Sequence, residues 1–270
     1  MIFAYFLKDK SLELDPRVLG LLADLGAQGF DVYPVRTKED VREGTEMLLS
    51  FGGDGTFLSA AALALEASLP ILGVNFGRLG FLSENKPESV ADALARKDYS
   101  IQRRGLVKVV GLCGGDGPQL ALNEVSVLRE GAAMLGVDVE VDSLPLPTYW
   151  ADGLLVATSS GSTAYSLSAG GPICLPDSRV LIITPIAPHN LNVRPLVVPD
   201  SSEIKISFRS RDSLVRLTAD NRNYDVPSSA SLCLSAVPGA LQVVVLGGSN
   251  FIGALKARLL WGGDVRNQSE

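Results

Sequence analysis

Gly52-Gly53-Asp54-Gly55-Thr56 sets one carboxylate among three glycines at the point where an apolar run, Met47 to Phe51, meets a segment of helix composition, Leu58 to Leu65. Glycines without Cβ atoms let backbone N–H groups approach anionic oxygens, and a helix N-terminus adds favourable partial charge. Gly52, Gly53 and Thr56 are therefore candidate phosphate-loop residues. A carboxylate at Asp54 would repel phosphate unless a cation bridges the two or the carboxylate faces a hydroxyl that must lose its proton. That is kinase chemistry. The same four letters recur at Gly114-Gly115-Asp116-Gly117, but between two strand-like runs, so this copy reads as a hairpin loop.

Three further constellations follow. Asn123-Glu124 interrupts the apolar run Ala121 to Val127. An amide beside a carboxylate can read adenine and ribose hydroxyls, although a solvent-facing residue beside a bulge explains the pair equally well. Next, an apolar strand after Asp152-Gly153 runs into a dense set of hydroxyls and small residues, Thr158 to Ser168, closed by Gly170-Gly171. Neutral donors of low steric demand suit a nucleotide pocket. Third, Thr184 to Pro195 holds the lone histidine, His189, which reads as structural because no Gly-x-Ser-x-Gly elbow accompanies it. The chain also lacks the Gly-x-x-x-x-Gly-Lys-Ser/Thr loop of P-loop enzymes and the Gly-x-Gly-x-x-Gly order of dehydrogenases.

The elements that position these residues change character along the chain. Up to about Ser100, strands and helices alternate: strands at Ile2 to Leu7, Phe30 to Val35, before Gly52 and at Pro70 to Val74, with helices at Pro16 to Leu25, after Thr56 and at Ser89 to Arg96. This pattern predicts an α/β domain over residues 1–100 with a largely parallel sheet. From 101 to 250 strict alternation, as in Gly136 to Asp142 and Glu203 to Phe208, predicts an all-β, sandwich-like domain. Phe251 to Trp261 has helical spacing, and this closing segment, 251–270, is expected to return to the first domain.

At 270 residues and 46% hydrophobic, the chain can bury cores for two modest domains. A net charge of −6 argues against a general nucleic-acid partner. Cys113, Cys174 and Cys233 are too far apart in sequence for a zinc site or disulfide framework, which fits reduced thiols and a cytoplasmic location. The apolar start, Met1 to Leu7, is too short for a signal peptide, and no apolar run reaches the length that spans a bilayer.

Taken in order, these segments resemble the NAD kinase family. The resemblance runs through Gly52 to Leu58, Leu72 to Asn75, Leu79 to Leu82, Asn123-Glu124, Asp152-Gly153, Gly161 to Pro172 and Arg194 to Leu196. It implies transfer of a phosphoryl group from ATP or another donor to the 2′-hydroxyl on the adenosine ribose of NAD. It further implies a divalent metal, Mg²⁺, carried by the triphosphate with no protein metal site, and a homo-oligomer, dimer or tetramer. The roles implied are Asp54 as proton acceptor with Gly55 beside it and Asn123 and Glu124 on adenosine. Asp152 falls at the nicotinamide end, with Thr163, Ala164, Tyr165, Ser166, Leu167 and Ser168 around the adenine pocket. The chain departs from the family at Thr158-Ser159-Ser160-Gly161, where Thr-Pro-Thr-Gly is common, and at Asp220-Asn221-Arg222, where Asp-Gly-Gln is common. Trp150-Ala151 also stands where a basic residue often precedes the aspartate, making Arg222 a candidate cation for the pyrophosphate. Two other readings stay open: a lipid or sugar kinase sharing the Asp54 turn, and a catalytically silent NAD(P)-binding regulator.

Overall fold

Short apolar runs ended by polar or glycine residues form the strands of the first unit, and segments with one apolar face form its helices. The structure, a computed structural model, describes residues 1–77, 80–112 and 119–259. The chain divides into two compact units, residues 1–102 with 241 onward, and residues 103–240. In the first lie β1 (Ile2–Leu7), α1 (Pro16–Ala27), β2 (Asp31–Pro34), β3 (Thr45–Phe51), α2 (Asp54–Ala67), β4 (Ile71–Val74) and α3 (Pro87–Ala95). β5 (Tyr99–Val110) leads out of it. α1 starts where the Asp15 carboxylate accepts the Arg17 N–H and Pro16 takes the first turn, and it buries Val18, Leu21 and Leu25 at helical spacing.

The strands of this unit are parallel, in the order β2-β1-β3-β4. After β1 the chain goes out to β2 on one side, then returns to the other side of β1 for β3. In open parallel sheets, ligands bind outside the carboxyl ends of the strands where such a reversal occurs. Here those ends are Leu7 and Phe51, which are paired, and the Asp54 turn follows Phe51 directly. Phe3, Leu49, Phe51, Leu72 and Val74 form the core beneath it, with Tyr5 stacked on Phe51 at 5.1 Å.

The second unit continues with β6 (Gln119–Ala121), β7 (Glu124–Arg129), β8 (Leu135–Val141), β9 (Leu144–Pro145), β10 (Tyr149–Ala151) and β11 (Gly153–Thr158). A single turn, α4 (Tyr165–Ser168), precedes β12 (Val180–Ile186), β13 (Leu196–Pro199), β14 (Ile204–Arg209), β15 (Leu214–Ala219), β16 (Arg222–Pro227) and β17 (Ser231–Leu246). Six antiparallel strands form one sheet in the order β13-β12-β11-β7-β15-β16. Across a core of Val125, Val127, Leu154, Ile183 and Leu217 lie β8, β14 and the first half of β17, which contribute Val137, Val139, Ile206 and Leu234. The expected all-β, sandwich-like half is thus observed. β5 and β6 pair antiparallel through Val107 and Ala121, while the second Gly-Gly-Asp-Gly copy and Cys113 lie outside the described residues.

The end of β17 joins the first unit, pairing Val243 with Ile71 of β4 in parallel. α5 (Phe251–Leu259) follows and belongs to that unit, where Phe251 meets Phe81 at 6.0 Å. Among the described residues no helix is long and apolar enough to cross a membrane.

Candidate active site

The helix after β3 begins at Asp54 rather than after Thr56, because Gly53 already accepts the N–H groups of Thr56 and Phe57, both at 3.0 Å. Gly52 has φ +152°, and a Cβ there would lie 2.4 Å from Thr56 Oγ1, so glycine is required on both counts. A Cβ at Gly53 or Gly55 would meet nothing within 4 Å, so packing inside the unit does not demand glycine at either position.

The Asp54 carboxylate turns towards the segment after β4. Oδ2 accepts the Phe81 N–H at 2.7 Å, and Oδ1 accepts those of Leu82 and Ser83 at 3.0 and 2.9 Å. The approach is so close that a Cβ on Gly80 would lie 1.7 Å from Oδ1. The segment is itself braced, since the Asn75 amide donates to Ser83 O and the Asn85 amide to Gly73 O, both at 2.8 Å. A carboxylate offers about four lone-pair directions, so these donors orient Asp54 while leaving capacity for one further proton. Lys8, one residue past β1, donates to Ser59 Oγ of α2 at 3.3 Å, which places an ammonium near the same strand ends.

In the second unit the Asn123-Glu124 pair is organised by a residue far along the chain. Asp220 sits in the left-handed region, φ 52°, in the turn between β15 and β16. Its carboxylate accepts the N–H groups of Leu122 and Asn123, each at 2.8 Å, and of Glu124 at 3.4 Å. These bonds draw Leu122 and Asn123 out of any ladder. The apolar run expected to be one strand is therefore two, and Asn123 stands in the gap between β6 and β7.

The other side of the gap is closed by the hydroxyl-rich segment. Thr158 N–H donates to Asn123 O at 2.8 Å, Thr158 Oγ1 donates to Leu122 O at 2.5 Å, and Gly161 N–H returns to Thr158 Oγ1 at 3.1 Å. The Glu124 carboxyl points inward here, and its buried Oε2 has no hydrogen-bond partner among the described residues. Burial first, and then the Asp220 charge, push its pKa up to about 8, against a lowering contribution from the Tyr165 N–H. Burial likewise raises Asp220, opposed by its three N–H donors and Arg222. At neutral pH Glu124 is then largely protonated and able to donate a hydrogen bond.

This arrangement has a stability consequence. A carboxyl raised in the folded state from 4.5 to about 8 contributes fully below pH 4.5, and that contribution is lost as pH rises through 8. Glu124→Gln removes the titration. Its melting temperature should gain on wild type between pH 5 and pH 8.5, by several degrees given ~2–4 °C per kcal/mol. Parallel melting curves against pH would show that Glu124 is not held protonated.

Comparison with known proteins gives the constellation its context. Residues 8–97 match the profile of the ATP-NAD kinase N-terminal domain, and residues 122–246 that of the ATP-NAD kinase C-terminal domain. The chain belongs to the NAD kinase family. It is 41% identical over 245 residues to the NAD kinase of a Porphyromonas gingivalis strain, covering 88% of this chain and 85% of the relative. To the Flavobacterium johnsoniae NAD kinase it is 36% identical over 276 residues, 98% of this chain and 93% of the relative. Among solved structures, yeast NADH kinase complexed with NADH superposes with TM-score 0.83 at 22% identity, covering 99% of this chain and 90% of that one, a likeness of fold. The NAD kinase from Archaeoglobus fulgidus in complex with ATP gives TM-score 0.76 at 26% identity, over 95% of this chain and 99% of that one.

Against this NAD kinase frame, Asn123, Glu124, Gly161 and Tyr165 come together, whereas Asp152 does not join them. Asp152 precedes β11, and Ala157 near its far end is the residue that pairs with Glu124, about 16 Å away at ~3.3 Å per residue. Asp152 instead meets Arg129, Nε to Oδ1 at 2.6 Å, so a basic partner is present although Trp150-Ala151 supplies none. Arg222 is less available than expected, because its guanidinium donates to Leu120 O and to Gln119 Oε1.

Among residues 163–168, the Ser166 hydroxyl is fully buried against Thr184 Oγ1 at 3.2 Å, and the Thr163 hydroxyl donates to Ser160 O at 3.4 Å. Tyr165 is 37% exposed and can meet a ligand. Sequence reasoning missed Asp220 and Arg129 as organisers of the site. The only signal for Asp220 was an Asp-Asn turn between two alternating strands, and Arg129 had none.

Proposed function

We propose that this chain transfers the γ-phosphoryl group of ATP to the 2′-hydroxyl of the adenosine ribose of NAD, giving NADP and ADP. The observation that carries the reading is the Asp54 carboxylate, oriented by three backbone N–H groups beside the carboxyl ends of β1 and β3. The relatives' name, NAD kinase, and the two solved neighbours with NADH and with ATP support it.

In the step itself, the ribose oxygen bonds to phosphorus as the bond from phosphorus to the β–γ bridging oxygen breaks, its electrons leaving on ADP. The hydroxyl proton passes to Asp54, general-base assistance commonly worth ~10²–10⁴ in rate. The turn at Gly52, Gly53, Gly55 and Thr56 brings backbone N–H groups to the phosphates. The Asn123 amide and the protonated Glu124 take the adenosine, with Thr163 to Ser168 around the adenine. Asp152 with Arg129 serves the distal end of the dinucleotide.

Among the described residues no three His, Cys, Asp or Glu side chains stand together as a metal cage. Mg²⁺ carried by the triphosphate, as the family resemblance implies, would neutralise phosphate charge as part of the substrate. A homo-oligomer, dimer or tetramer, which rests on the family resemblance, and a cytoplasmic location, which rests on the dispersed cysteines, complete the proposal.

The test is NADP formation by the purified chain with NAD, ATP and Mg²⁺. Asn123→Ala should weaken NAD binding about tenfold, the loss of one or two hydrogen bonds from a built site. An unchanged dissociation constant would remove Asn123 from the adenosine contact. NAD binding without NADP formation, from ATP or from polyphosphate, would support the silent regulator instead.

A further inference from the structure

α5 carries a half-buried cation, Arg258, that the proposed phosphoryl transfer does not otherwise use. Arg258 lies with its guanidinium carbon 3.9 Å from the centroid of the Phe81 ring, the residue whose N–H holds Asp54 Oδ2. Phe251, seven residues earlier and so about two helical turns back on the same face, also meets that ring, with centroids 6.0 Å apart. The helix is thereby anchored on the segment that orients Asp54. Yet the Nε and Nη2 groups of Arg258 are buried and have no hydrogen-bond partner among the described residues.

Nε and Nη2 form the side-on edge of a guanidinium, which takes two oxygens of one carboxylate or phosphate in parallel. The chain shows that geometry at Arg17, whose Nε and Nη2 hold the two oxygens of Asp15 at 3.1 and 2.7 Å. At Arg258 the same edge has no partner among the described residues, although buried polar groups are nearly always satisfied. The neighbouring Asp54 carboxylate already accepts three backbone N–H groups and makes no bond to it.

We propose that the Nε and Nη2 edge of Arg258 holds two oxygens of the phosphoryl group in transfer, which makes α5 a contributor to the reaction proposed above. The role follows from position. Asp54 faces the attacking hydroxyl, so a guanidinium beside Asp54 and its bracing segment adjoins the phosphorus centre, where charge spreads over the equatorial oxygens. Burial, opposed only in part by the Asp54 and Glu84 charges, holds the Arg258 guanidinium below its ordinary pKa, although an arginine stays charged at neutral pH. Two phosphoryl oxygens would satisfy both donors without displacing any bond that Asp54 makes.

The test compares the full-length wild type with Arg258→Lys and Arg258→Ala in NADP formation, with melting temperatures and NAD dissociation constants measured alongside. Lysine keeps the charge and the stem over Phe81 but lacks the fork. Both variants should lose kcat, by ~10²-fold for alanine as for loss of a preorganised transition-state donor, with NAD affinity changed only a few-fold. Added guanidinium ion should restore part of the alanine variant's rate. Near wild-type kcat in Arg258→Lys, or an alanine variant that guanidinium does not rescue and whose rate falls only with its melting temperature, would make Arg258 a packing residue and overturn this role alone. A wild type that forms no NADP would overturn the function reading and this role with it.

Discussion

Asp54→Asn should cut turnover by ~10² or more while leaving NAD affinity within a few-fold of wild type. Two effects of the substitution act together. The amide cannot accept the ribose proton, and it carries an NH₂ where the carboxylate carried an acceptor. Three N–H donors, from Phe81, Leu82 and Ser83, converge on the two Asp54 oxygens, so an amide nitrogen must confront at least one of them. Gly80, already in contact with Oδ1, leaves little room for the side chain to rotate away. The segment 80–83 should therefore loosen, which amide hydrogen exchange at Phe81 and Leu82 would report. NAD affinity is expected to survive because Asn123 and Glu124 belong to the second unit and are held by Asp220. Faster exchange with near-normal turnover would reduce Asp54 to a structural latch and remove it as the base.

Gly161→Ala is the second large effect, and it reaches binding through the backbone. A Cβ at this position would lie 2.0 Å from the carbonyl oxygen of Asn123 and 2.7 Å from its Cα. Those are backbone atoms, and they are held from both sides. Asn123 O accepts the Thr158 N–H at 2.8 Å, and Asn123 N donates to Asp220 at 2.8 Å. Relief requires breaking one of these bonds or shifting the turn after β11. The expected cost is about 3 kcal/mol, the upper end of overpacking penalties. Because the displaced residue is the proposed adenosine reader, NAD affinity should fall at least ~10-fold, equivalent to 1.4 kcal/mol. Denaturant unfolding and NAD titration would measure the two losses separately. A variant with wild-type stability would show that the turn yields easily, and a stable variant with intact NAD affinity would place the adenosine contact elsewhere.

Much of the architecture is legible in the sequence. The strand, glycine turn and helix around Asp54 are read from neighbours in sequence, because apolar runs, helix formers and glycines act over a few residues. The change from alternating strands and helices to strict two-residue alternation separates the parallel half from the antiparallel one for the same reason. Boundaries were less secure. Asn123 lies inside an apolar run whose composition reads as one strand, and only the Asp220 carboxylate, 97 residues away in sequence, opens the ladder there.

The sequence by itself determined the two kinds of domain, the turn bearing Asp54 and the family to which the residues point, since each is written in local pattern and motif order. The tertiary structure alone decided which groups face one another. Asp54 meets Phe81, Leu82 and Ser83, Glu124 is buried beside Asp220, and Arg258 lies over Phe81. Those pairings, and the protonation of Glu124 that follows from one of them, depend on burial and on distances set by the packing of strands and helices remote in sequence. No periodicity records such distances, because a side chain's partner across a core leaves no mark on its own neighbours in the chain.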